Sequence, residues 1–109
     1  MNISLYESDY PIQQNGTPSG EKSPVGSFRA DTDIVRNKVK KNDASTFNGV
    51  YTHSRYPKPR VGEHLLAVFE LDGKNYLYNS TIDYRSESDI GDNDEWPATL
   101  NFQNQISNQ

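Results

Sequence analysis

Cysteine is missing from this chain altogether, which excludes disulfides, thiolate zinc sites and thiol nucleophiles together. Apolar residues are scarce. They make up 32% of 109 residues, and mean hydropathy is -0.93. A single small core is the most such a chain builds, and a homodimer or a bound partner is one way to support it. No apolar run is long enough to span a bilayer, and the opening MNISLYESDY has neither the basic start nor the apolar stretch of a signal peptide. The expectation is a cytoplasmic protein with no membrane segment. Patterns that carry chemistry are missing too: there is no HxxxH, no HExxH and no two-metal carboxylate spacing. The glycines at 16, 20 and 26 lie scattered among Pro and Ser rather than forming a phosphate-binding loop. The expectation is therefore a chain with no catalytic residues, no metal and no cofactor.

Charge is present and unevenly spread. Residues 21–64 hold nine Lys or Arg against five acids, whereas residues 65–109 hold two bases against eight acids; the formal net charge is -4. The chain is electrically polarised along its length, and folding decides whether the two halves cancel or stand apart.

The strongest structural signal is HLLAVFELDGKNYLYNS, His64 to Ser80. A two-residue Asp72-Gly73 loop between β-rich runs favours a type I′ turn, and the turn sets the register. Leu71 faces Lys74, Phe69 faces Tyr76, Ala67 faces Tyr78 and Leu65 faces Ser80 on one side. Glu70 with Asn75, Val68 with Leu77 and Leu66 with Asn79 share the other. Both sides are apolar at mid-strand, so the hairpin belongs inside a barrel, a sandwich or a covered sheet.

Other segments are weaker. NISLYE reads as an edge strand. Residues 11–27, with three Pro and three Gly in PIQQNGTPSGEKSPVGS, read as a flexible loop. DTDIVRNKVKKNDAS reads as a helix over about 32–41, capped by Asp31 or Thr32 with Lys40 and Lys41 in its last turn; its β-branched Ile34, Val35 and Val39 also suit a strand from Asp33 to Val39. FNGVYTHSRY reads as a turn at Asn48-Gly49 and then a strand that Pro57 and Pro59 end. Thr81 to Arg85 alternate as a third strand, Trp96 and Pro97 plug the core edge, Leu100 to Phe102 add a last short strand, and residues 103–109 fray. The fold class expected is mainly β or α+β, a small antiparallel barrel or curved sheet of four to six strands with or without one short helix, all in a single domain.

Three constellations bear on function. DIGDNDE, Asp89 to Glu95, is a solvated acidic loop, a hard-cation loop, or a docking surface for a basic partner through Asp92, Asp94 and Glu95. YTHSRYPKPR, Tyr51 to Arg60, interleaves bases and aromatics as nucleic-acid-binding patches do, with Tyr51, Arg55, Tyr56, Lys58 and Arg60 as contacts and Lys38, Lys40 and Lys41 joining if the fold brings them alongside. His53 and His64, with Glu63 or Glu70, would make a metal-assisted hydrolytic site only by converging. The reading preferred from sequence is a small non-catalytic interaction protein that binds and modulates a protein partner through a surface of Tyr and charged residues. A nucleic-acid-binding β-barrel is the first alternative and the histidine-based hydrolase the second.

Overall fold

A computed structural model of the chain describes residues 1–9, 23–41, 45–54, 58–84 and 95–108. Six strands and one helix follow one another as β1 (Asn2–Glu7), β2 (Gly26–Arg29), α1 (Thr32–Lys41), β3 (Ser45–His53), β4 (His64–Leu71), β5 (Lys74–Tyr84) and β6 (Glu95–Asn108). Every neighbouring pair is antiparallel, and the ring closes in the order β1-β2-β3-β6-β5-β4.

The β4–β5 hairpin adopts the register its turn dictates, from Leu71↔Lys74 to His64↔Thr81. Asp72 and Gly73 both have positive φ, 52° and 83°, as a type I′ turn requires. Leu65, Ala67, Phe69 and Leu71 point inward and are at most 5% exposed. On the outer face Leu66 and Leu77 form a small cluster of their own with Tyr6 and Val68, so the hairpin is apolar on two sides because both sides are covered.

Helix wins over strand at 32–41. Asp31 Oδ1 accepts hydrogen bonds from the backbone N–H groups of Asp33 (2.9 Å) and Ile34 (3.1 Å), satisfying two first-turn donors that a strand would spend differently. Val35 is fully buried, an anchor contributing roughly 1.5–3 kcal/mol. Arg36 reaches across to the β4–β5 turn, its Nε and Nη2 donating to the two carboxylate oxygens of Asp72 at 2.9 and 3.0 Å.

Several expectations change. NISLYE is not an edge: β1 pairs with β2 on one side and β4 on the other, because ring closure removes edges. Asn48-Gly49 is not a turn, for β3 runs straight through it. Gly49 is there for room. A Cβ on it would collide with the Arg29 carbonyl oxygen and come within 2.8 Å of the Phe28 ring, so glycine lets β2 and its Phe28 pack against β3. Thr81 to Tyr84 are not a separate third strand but the continuation of β5, an 11-residue strand, since no turn chemistry interrupts Ser80-Thr81. Residues 103–108 do not fray: β6 holds its pairing with β5 as far as Tyr76↔Asn108. Backbone hydrogen bonds, not side-chain burial, carry that segment, and its two register shifts let the long β5–β6 pair coil around the ring. Most of the loop expected at 11–27 lies outside the described residues, while Gly26 and Ser27 belong to β2.

The ring has two ends. β1, β3 and β5 finish, and β2, β4 and β6 begin, at one end, here termed the mouth; α1 lies between β2 and β3 at the other, the helix end. β3 and β4 stand opposite one another in the ring, and residues 58–63 between them lie across the mouth, against Tyr84, Trp96 and Ile82.

Candidate functional site

The mouth collects the polar and titratable side chains that sequence singled out. Strand alternation turns Tyr51, His53, Tyr84 and Trp96 toward the axis from β3, β5 and β6. Tyr51 is fully buried, His53 and Trp96 are each 7% exposed, and their rings lie 5.9–6.4 Å apart with Tyr84 in the same cluster. The Tyr51 hydroxyl lies 3.2 Å from the Val25 carbonyl oxygen and 2.9 Å from His53 Nδ1. A hydroxyl has one proton, so when it donates to Val25 the Nδ1–H of His53 must donate to it; the two bonds together select the Nδ1-protonated tautomer. Glu7, where β1 ends at the mouth, also has its Oε2 withdrawn from solvent.

Over this cluster passes the crossing segment. Lys58 places its ammonium 4.3 Å from the Trp96 ring centroid and 4.4 Å from that of Tyr84, two cation–π contacts each worth roughly 0.5–2 kcal/mol. The Tyr84 hydroxyl donates to the Pro59 carbonyl at 2.8 Å. Gly62 N–H donates to the Ile82 carbonyl at 2.9 Å, and Glu63 closes a turn with Arg60 through Glu63 N–H to the Arg60 carbonyl and Arg60 N–H to the Glu63 carboxylate. Burial, with the Glu63 charge behind it, pushes the Tyr84 phenol well above its usual value, so Tyr84 stays a donor.

The sequence-predicted contact residues therefore divide. Lys58 and Arg60 sit at the mouth, partly buried and exposed respectively, and Glu95 is exposed where β6 begins. Tyr51 is sealed inside the barrel and presents nothing to a partner, because it stands on the inward side of β3. Tyr78, 3% exposed, also faces the interior, so much of the expected Tyr surface is core. Arg55, Tyr56, Asp92 and Asp94, like most of the candidate cation loop, lie outside the described residues.

The pooled basic patch is not assembled, since Lys38, Lys40 and Lys41 lie on α1 at the helix end while Lys58 and Arg60 lie at the mouth. His53 and His64 do not converge either. His53 points inward from β3, whereas His64 is exposed on β4 across the ring. Among the described residues no group of three or more His, Asp or Glu side chains is placed to hold a metal ion, and no described helix is long and apolar enough to cross a membrane.

Sequence reading missed the aromatic–lysine sandwich, whose members are 12 to 38 positions apart and carry no local signal. It also missed the sorting of charge by end. Exposed Arg29, Lys38, Lys40, Lys41 and Lys74 outnumber exposed Asp31, Asp33, Glu70 and Asp72 around the helix end, where Arg36 pairs with Asp33 and Asp72. Asp9, Glu63, Asp83 and Glu95 are exposed around the mouth, with Arg60 the exposed base there among the described residues. Between the ends the wall of β3, β6 and β5 carries a ladder of uncharged side chains: Thr46 donates to Asn101, Thr99 to Asn48, Asn101 to Thr81 and Asn79 to Asn104. Comparison with protein-family models, curated proteins and solved structures finds no match for this chain.

Proposed function

We propose that this protein is a non-catalytic interaction module, a rigid plug-like barrel that docks protein partners electrostatically through its ends. The observation that carries the reading is the grouping of exposed Arg29, Lys38, Lys40, Lys41 and Lys74 around α1, on a scaffold whose interior is filled by Phe28, Phe47, Tyr51, Leu65, Ile82 and Leu100. With the interior given to packing, recognition falls to the outside. Cations clustered on one helix and its neighbouring turn steer an acidic surface into register and suppress basic ones. Of the contacts in the sequence-based reading, Lys58, Arg60 and Glu95 stay in this proposal at the mouth, and the buried Tyr51 does not.

Polyglutamate is the direct probe. The wild-type chain should bind it at low ionic strength and release it as salt rises, and a Lys38→Glu, Lys40→Glu, Lys41→Glu variant should lose that binding while melting normally. Failure to bind polyglutamate at the lowest salt would sink the reading. Tighter binding to a single-stranded oligonucleotide than to polyglutamate of equal charge would move it to the nucleic-acid alternative.

A further inference from the structure

The partner that best fits the helix end is the opposite end of the same protein. We infer that one molecule's helix end docks onto the mouth of a second copy, head to tail; this rests on the docking role of the ends argued above. Two independent observations support it. The first is charge: among the described residues exposed Arg29, Lys38, Lys40, Lys41 and Lys74 outnumber exposed Asp31, Asp33, Glu70 and Asp72 at one end, while exposed Asp9, Glu63, Asp83 and Glu95 outnumber Arg60 at the other, so translating one barrel along its axis brings excesses of opposite sign together, whereas joining two mouths opposes like signs.

The second is apolar exposure. Among the described residues three large aliphatic side chains are exposed to solvent, Ile34 on α1 (51%) and Ile106 toward the end of β6 (46%) at the helix end, and Val61 in the crossing segment (58%) at the mouth. An aliphatic residue amid cations and another amid anions are what a small contact with an apolar centre and a charged rim contains. The contact is heterologous, meaning that each copy uses two different surfaces. A third molecule can therefore add at either free end, and the products are short stacks or a closed ring rather than a symmetric dimer.

Charge exchange separates this arrangement from its competitors. Variant one carries Lys38→Glu, Lys40→Glu and Lys41→Glu; variant two carries Glu63→Lys and Glu95→Lys. Sedimentation velocity over a concentration series at low salt should show the wild type passing beyond dimer mass and returning toward monomer as salt rises. Each variant alone should remain monomeric, since its two ends then share a sign, and an equimolar mixture of the two should associate again. Ile34→Ser or Val61→Ser should each weaken association about fivefold. A dimer that persists in both charge variants would overturn the head-to-tail contact in favour of a symmetric one. A wild type that stays monomeric at every concentration and salt would also overturn it; if that monomer still binds polyglutamate, the docking reading survives without self-association, and if it does not, both fall.

Discussion

The two ends of the barrel are closed by different chemistry. At the helix end the interior is a stack of rings: Phe69, Tyr76, Tyr78 and Phe102 lie nearly parallel, with Tyr78 and Phe102 centroids 4.4 Å apart and Phe47 edge-on to Phe102 at 4.7 Å. The lid above is an α-helix with a capped start and a two-point arginine tether. At the mouth the rings meet at steeper angles and hold polar atoms, a hydroxyl, an imidazole and an ammonium, under residues 58–63, which turn between Arg60 and Glu63. Stacked apolar rings resist distortion through contact area, while the mouth depends on a few directional bonds. The first should dominate stability, and the second should respond to pH and to single-atom changes.

Deleting the centre of the ring stack is the most severe way to probe that difference. Phe102→Ala should cost about 3–5 kcal/mol, read from the denaturation midpoint, and a loss below that of Tyr51→Phe would reverse the ranking of the two ends. Tyr51→Phe at the mouth removes only an oxygen, but it leaves His53 Nδ1 and the Val25 carbonyl without that hydroxyl, for about 1–3 kcal/mol. Asp31→Ala strips the cap from α1 and should cost about 1 kcal/mol, with faster amide exchange in α1 than in β5. Lys58→Ala should cost about 0.5–2 kcal/mol, showing as local loosening of residues 58–63 ahead of global unfolding.

Titration sharpens the comparison at smaller amplitude. The Arg36 guanidinium, through its hydrogen bonds first, holds the Asp72 carboxyl below its ordinary value. Its tether is therefore complete above the unfolded carboxylate range and is lost as pH falls through the lower folded value, so acid should loosen α1 first. Tyr84 has the opposite sign. Its phenol is raised by burial and then by Glu63; the associated stability is complete below about pH 10 and declines as pH rises beyond it. Tyr78 is raised too, by burial and then by Tyr76. Thermal melts of Tyr84→Phe should show a flatter alkaline decline than wild type, and an unchanged slope would remove Tyr84 as its source.

Much of the local structure was legible. The β4–β5 register followed from a two-residue turn and period-2 patterning, because both act over neighbouring residues. The α1 start was readable in Asp31 for the same reason. Glycine was less transparent: Asp72-Gly73 marks a turn, while Asn48-Gly49 looks alike in sequence yet serves a close approach of Phe28, a neighbour that only β2–β3 pairing supplies. Of the site, Lys58, Arg60 and Glu95 were legible as charged residues, and Trp96 as a plug. Their meeting at one end was not, since it depends on β3 and β4 standing across the ring from one another.

The chain by itself determined the inventory and the local pairings: no thiols, a small apolar fraction, one self-registering hairpin, one capped helix, and bases concentrated before acids. Only the tertiary structure decided that the tyrosines of β3 and β5 turn inward, that Lys58 is carried onto Trp96 and Tyr84, and that among the described residues exposed bases outnumber acids at the helix end and acids outnumber bases at the mouth. Those outcomes rest on contacts between residues far apart in the chain, where the deciding factor is which strands close the ring, and no stretch of sequence records that choice locally.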